Sequence, residues 1–527
     1  MTVTPAAAPE TIDLRTATDV GEMLADGRLY EARLLAEALL NADLTPDHAS
    51  LELRATLLSL LVVVGEPIAA VAHAEAVLAE RDVPEDVWAE AKMNRILGLL
   101  EQDDFAGGRE AAEAMLAEGN VHGDAGLSGA LTALALVAWQ EGRVVDAVGL
   151  LRAAIQRIDS DGRVQGRLYP RISLALMLIA MGEFDEARCT TVEFEREVAD
   201  ATDALAAPAG PMLRARQHLA AGNIAAARVA ARELESVAET PPGIVAIAQL
   251  TGAVAALHEG DVAAAKQLVQ SYRAGPAVGR VVLGGALFTW VEAVVADAQS
   301  GPSRAVELLA DVFANLALHK RLFLQEPTAA AWLVRAALAV GDVHKASSVA
   351  AFADALALDN RTCPALAAGA NHARGVLEGD SNALRYAAAR HHPPWARASA
   401  MEDAAHVSAS EKDVAEARDT LEQAHAMYAE IGARRDVARC RAKLDRLDRQ
   451  RAQRPAVYGW RALTGTERRV AEVVAEGLTN PEAGARLFLS RHTVDFHLRQ
   501  IFRKLDIHSR VELTRIVVRL DGTTTPT

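Results

Sequence analysis

A six-residue signature, Gly-x-x-x-x-Ala, recurs along most of this 527-residue chain and limits the folds open to it. Its first positions are Gly27, Gly65, Asp103, Gly142, Gly182, Gly222, Gly260, Ser300, Gly341, Gly379 and Lys412, so successive copies lie 33 to 41 residues apart. Eight of the eleven are Gly, and nine have Ala five residues on; Gly108 and Leu384 are the exceptions. Apolar residues at helical spacing flank the copies. A Gly can end one helix in a left-handed conformation that other residues resist. The later Ala lets the next helix approach closely. One such hairpin cannot bury its apolar face alone, so neighbours must stack into a superhelix. These units account for residues 15–447, leaving 1–14 as an N-terminal tail.

Composition agrees with close-packed helices. Apolar residues make up 51% of the chain but aromatic residues only 4%, which argues against an aromatic-rich sandwich core. Cys189, Cys363 and Cys440 lie far apart without a CxxC pair, and buried free thiols in a reducing cytoplasm are expected. No basic and apolar leader opens the sequence, and no apolar run reaches membrane-spanning length; the longest candidate, Val281 to Val291, stops at Glu292. The expected location is cytoplasmic. Net charge is −15, yet from residue 455 onward 11 basic residues face 8 acidic ones. An acidic body would be repelled by a polyanion and a basic end attracted, which fits a C-terminal nucleic-acid module.

That end holds the most specific motif. Leu463-Thr-Gly-Thr-Glu-Arg-Arg-Val, Gly477-Leu-Thr-Asn-Pro-Glu and Leu489-Ser-Arg-His-Thr-Val-Asp-Phe-His-Leu-Arg-Gln-Ile-Phe-Arg-Lys-Leu505 read as short helices around a helix-turn-helix. Capping boxes are predicted at Thr464/Glu467, Thr479/Glu482 and Ser509/Glu512. The spacing predicts helices over about 480–487, 491–505 and 510–520, with Phe488 and Leu489 in the turn and Ser490 as a cap. In the helix 491–505, Val494, Leu498, Ile501 and Leu505 form the core stripe. His492, Asp495, Phe496 and Arg499 face the other way and are the expected base-reading residues. Arg499 can fork onto guanine, Asp495 can accept from cytosine, and Phe496 can meet a thymine methyl. Arg491, Thr493, Arg503 and Lys504 are the expected phosphate ligands, which fix register without reading sequence.

These residues resemble the LuxR/FixJ-type helix-turn-helix through Glu467, Val470, Gly477, Asn480, Glu482, Leu487, Ser490, Thr493, Val494, His497, Ile501, Lys504 and Leu505. The resemblance implies base reading by Asp495, Phe496 and Arg499, and a homodimer on DNA through helix 510–520. Thr466 stands where the family usually has Arg, Ala483-Gly484 replace Ile-Ala, and Asp495 replaces a frequent Lys. The repeats resemble the tetratricopeptide class, with HEAT-like or armadillo-like stacking as the alternative. The whole is similar to MalT-like large regulators, and Ala429 to Leu447 is similar to their last repeat. Such regulators normally carry an ATPase, but the sequence contains no Gly-Lys dipeptide, so no phosphate-cradling loop of that kind can form. No strand ending in Asp opens the chain as in a phospho-receiver.

The expected architecture is all-α: a tetratricopeptide-like solenoid over 15–447, a linker over 448–461, a LuxR-type four-helix domain over 462–521 and a tail over 522–527. The expected function is a DNA-binding transcription regulator whose repeats sense a small molecule, peptide or protein partner. The alternative is a protein-interaction scaffold with a vestigial or inhibitory helix-turn-helix. No catalytic set, cofactor site or metal site is predicted. His391-His392-Pro-Pro-Trp395 reads as a loop between repeats, with ligand contact or metal binding as lesser readings. Trp88, Trp139, Trp290 and Trp332 read as core residues.

Overall fold

The computed structural model describes residues 17–26, 28–41, 47–119, 123–161, 170–201, 206–234, 240–275, 285–410, 413–453, 460–487 and 489–521. Gly27, Lys412, Phe488, both tails and linker residues 454–459 lie outside these. Every regular element among the described residues is helical, and the chain divides into two compact units, Met1–Leu444 and Asp445–Thr527. The helix Arg434–Gln453 runs through the division, so the first residues of the expected linker are helical.

The first unit is a tetratricopeptide-like solenoid of stacked helical hairpins. Its turns explain the recurring signature. Gly65, Gly142, Gly182, Gly222, Gly260, Gly341 and Gly379 all have positive φ, and Asp103 takes the same left-handed conformation at φ 60°. The eighth turn corrects the expected register: the left-handed residue is Gly301, not Ser300. A further turn at Gly432 escapes the signature because Val437, not Ala, lies five residues on.

The Ala of the signature is buried in the hairpins that carry it. Ala32, Ala70, Ala147, Ala187, Ala227, Ala265, Ala305, Ala346 and Ala417 are completely buried. Leu384, one exception, is equally buried because Gly375 makes room: a Cβ there would lie 2.6 Å from the Leu384 Cγ. Gly108, the other, does the reverse, giving space to Leu100. A second device accompanies the turn. Asp104, Asp261, Asp342 and Asp380 follow the turn residue, and their carboxylates, like that of Asp413, cap the helix that begins there. Such caps contribute about 1 kcal/mol each.

The solenoid also contacts itself across long stretches of chain. Lys320 Nζ donates to the Glu141 carbonyl at 2.9 Å, and the Val144 amide donates to Asn360 Oδ1 at 3.2 Å. His258 Nδ1 lies 3.0 Å from Asp436 Oδ2. Residues of the fourth to seventh hairpins thus face residues of the eighth hairpin onward. The eighth hairpin is the irregular one, its second half broken into Pro302–Leu308, Ala310–Ala314 and Lys320–Gln325.

Two expectations about single residues change. Cys363 and Cys440 are buried, but Cys189 is exposed on the helix Phe184–Ala201. Trp139 and Trp290 are buried in the core as expected, whereas Trp88 and Trp332 are only half-buried, with Lys92 Nζ 3.5 Å from the centre of the Trp88 ring. No helix among the described residues is long and apolar enough to cross a membrane, and no cluster of potential metal ligands occurs among them.

Candidate nucleic-acid interface

The second unit has its own apolar core, built by Val470, Val474, Val494, Leu498, Ile501 and Leu513 among others. Four α-helices frame it: Gly465–Ala475, Asn480–Leu487, Arg491–Leu505 and Arg510–Asp521. Polar caps set their starts. The Glu467 amide donates to Thr464 Oγ1 at 3.2 Å, and the Thr464 amide donates to the Glu467 carboxylate at 2.7 Å, a complete reciprocal box.

The other two boxes differ from expectation. The Thr479 amide and hydroxyl both donate to Glu482, at 2.8 and 2.7 Å, so the hydroxyl serves as donor rather than cap. Ser509 does accept from the Glu512 amide at 3.3 Å, but Glu512 reaches the His508 amide, one residue earlier, at 3.0 Å. A carboxylate is a stronger acceptor than a hydroxyl, and it draws in whichever donor the chain presents.

The third helix starts where Ser490 accepts from the Thr493 amide at 3.1 Å. It ends at Asp506, in a left-handed conformation with φ 53°. Val494, Leu498, Ile501 and Leu505 are buried along one stripe, and the opposite side carries the expected readers. Phe496 is 58% exposed, and the Arg499 side chain 81%. His492, Arg491 and Arg503 are exposed as well. An exposed aromatic ring beside exposed cationic side chains has no role in the unit's own core.

Two expected site residues are engaged inside the unit. Lys504 Nζ lies 2.7 and 2.6 Å from the two Glu467 oxygens. Burial would raise the pKa of Glu467, but the bonds from Lys504 and Thr464 outweigh it and hold the carboxyl below its ordinary value. The Lys504 ammonium therefore ties the first helix to the third. Asp495 accepts from the Asn480 amide group, and Asn480 in turn accepts from Arg510, which also donates to the Leu478 carbonyl at 2.8 Å. Asp495 thus links the two helices of the helix-turn-helix, with Arg499 3.9 Å away on its open side.

Residues 461–517 match the family described as bacterial regulatory proteins, luxR family. The C-terminal unit is a LuxR-type helix-turn-helix domain. It is 49% identical over 61 residues to a candidate HTH-type transcriptional regulator of Mycobacterium tuberculosis, a stretch covering 12% of this chain and 7% of that protein. It is 45% identical over 53 residues to a nitrate/nitrite response regulator protein homolog of Haemophilus influenzae, covering 10% of this chain and 26% of that one. The chain thus spans only a small part of the length of these relatives. The crystal structure of the APC/C hetero-tetramer Cut9-Hcn1 aligns over 80% of this chain and 88% of that chain, with 14% identity and a TM-score of 0.41.

Within the LuxR-type domain, two positions were not legible as functional. Arg510 holds Leu478 and Asn480 in place, although motif spacing offers no partner for it. Gly484, a costly residue for a helix interior, sits where the second and third helices meet. A Cβ there would lie 2.7 Å from the Leu489 carbonyl oxygen.

Proposed function

We propose that the chain is a transcription regulator that binds promoter DNA through the third helix of its LuxR-type domain. The solenoid senses a small molecule, peptide or protein partner and governs that binding. The observation that carries the reading is the exposed face of Arg491–Leu505, with Phe496 and Arg499 outward and the apolar stripe sealed inward. His492, Phe496 and Arg499 enter the major groove and meet base edges. Asp495 works beside them, held by Asn480 and positioned to orient Arg499. Arg491, Thr493 and Arg503 meet phosphates, and Lys504 holds the helix to Glu467 instead.

Pairing on DNA is the natural use of the fourth helix. Val511 and Val518 lie seven residues apart on Arg510–Asp521 and are both exposed. Two turns of helix place them on one face, where a second copy would cover them. The chain acts in the cytoplasm, where promoter DNA is available to a bacterial regulator.

The test is binding of the full-length protein to promoter fragments selected from genomic DNA. Affinity should fall steeply as salt rises, because each neutralised phosphate releases counterions, and Arg499→Ala should relax base preference. Absence of DNA binding at low salt and high protein concentration would leave the interaction-scaffold reading in its place.

A further inference from the structure

The solenoid's contacts with itself frame a partly open cavity of about 410 Å³, a size typical of small-molecule sites. Its walls come from two distant stretches of chain, one around residues 179–339 and the other around 391–443, with Ala365 between them. Trp290 and Trp332 meet edge to face on one wall, with ring centres 6.2 Å apart. Trp395 lies on another, its indole N–H donating to Asp436 at 3.2 Å and its ring 5.0 Å from that of His258.

The charged groups lining this cavity fall into two sets. Most are locked to one another. Arg439 donates to Glu402 at 2.6 and 2.8 Å and to Asp436 at 2.5 Å, and Lys443 pairs with Glu402 at 2.7 Å. Arg335 pairs with Asp403, which also accepts from His372 at 2.9 Å. Burial would raise the Asp403 pKa, but Arg335 and His372 outweigh it and hold the group far below the usual carboxylate range. His391 lies 3.2 Å from His372, and burial with its histidine neighbours keeps it neutral.

Four groups are not locked, and they are not equivalent. Asp297 is pushed toward its protonated form by burial, so a proton can relieve it. Glu326 accepts from the Thr328 hydroxyl. Arg435 keeps open surface. Arg216 is half-buried and lines the cavity, and among the described residues it has no hydrogen-bond or ion-pair partner. Glu326 acts on it only through its field. A guanidinium cannot shed its charge, so only an anion can relieve Arg216.

We propose that this cavity binds a small organic carboxylate with a flat apolar body. The carboxylate pairs with the Arg216 fork, which matches its two oxygens. The body lies along the wall of Trp290 and Trp332. This inference rests on the reading of the solenoid as the sensory part and assigns that part a ligand class.

The test is calorimetric titration of the full-length protein with 2-naphthoate and with its neutral counterpart, 2-naphthamide. The acid should bind about tenfold or more tightly than the amide, the worth of a charge-assisted pair. Arg216→Gln removes no existing ion pair and relieves a partly desolvated charge, so it should not lower the melting temperature, and it should abolish the preference. Trp332→Ala should weaken both compounds while the acid-to-amide ratio survives. Equal binding of acid and amide, no binding of the acid at millimolar concentration, or a preference that persists in Arg216→Gln would each overturn the proposal. DNA binding by the same preparation decides the regulator reading separately: its loss beside intact acid selectivity removes that reading and leaves the carboxylate site standing.

Discussion

The Lys504 ammonium sits against both carboxylate oxygens of Glu467, at 2.7 and 2.6 Å, while the same carboxylate caps the Thr464 amide. One acidic side chain thus starts the first helix of the LuxR-type domain and fastens it to the end of the third. Glu467→Ala removes a cap and strands Lys504, so it should destabilise the domain by about 2 kcal/mol. Lys504→Met should cost less, because the capping box survives it. Denaturant melts followed by the fluorescence of Trp460, which packs against this core, report the difference. The lowered pKa of Glu467 sets the sign with pH: the contribution is full above the ordinary carboxylate pKa and is lost as pH falls through the lowered one.

Base-reading and phosphate-binding residues should separate by salt. Arg499→Ala should lose about 1–3 kcal/mol of discrimination at its own base and leave other positions unchanged. Arg491→Ala and Arg503→Ala should weaken all sequences alike and each reduce the salt slope by about 1. Lys504→Ala should leave the slope unchanged at temperatures where the domain stays folded. Titrations of selected and scrambled duplexes across a salt series read all four.

The pair Gly375 and Leu384 should behave as one steric unit. Gly375→Ala places a Cβ within 2.6 Å of the Leu384 Cγ and should destabilise the solenoid by about 1–3 kcal/mol, despite the better helix former. Leu384→Ala alone should cost about 2–5 kcal/mol as a cavity mutation. The double variant should be more stable than the sum of the two, since the new methyl enters the space that Leu384 leaves. A double-mutant cycle measures the coupling; strict additivity would contradict the packing described.

Glu101 is held at a pKa of about 8 by desolvation, with one oxygen buried and lacking a hydrogen-bond partner. The folded chain keeps that proton where the unfolded chain has lost it. Stability should therefore fall as pH rises from the ordinary Glu value toward 8 and then level off. Glu101→Gln removes the penalty. Its melting temperature should match wild type near about pH 5 and exceed it near about pH 9; a gain independent of pH would contradict the assignment.

Much of this fold is local and so was legible. The Gly and Ala of each hairpin act within six residues of chain, and every signature Ala that could be read is completely buried. The core stripe Val494, Leu498, Ile501 and Leu505 likewise follows from helical spacing alone. The Asp caps at Asp104, Asp261, Asp342, Asp380 and Asp413 were equally local, one residue after the first position of the signature, and pass unnoticed only if the signature is read as two positions. The shift from Ser300 to Gly301 is a one-residue ambiguity that backbone strain resolves, because Gly adopts positive φ more easily than Ser.

Periodicity, caps and a dense motif determined the hairpins, their stacking and the LuxR-type domain, since each depends on residues a few positions apart. Tertiary structure alone decided which cations are free and which are tied. Lys504 and Glu467 are 37 residues apart, His258 and Asp436 178 apart, and no spacing rule reaches so far. The cavity around Arg216 belongs to the same class. It exists because distant hairpins meet, and a partly buried charge acquires its meaning only from what does or does not stand opposite it.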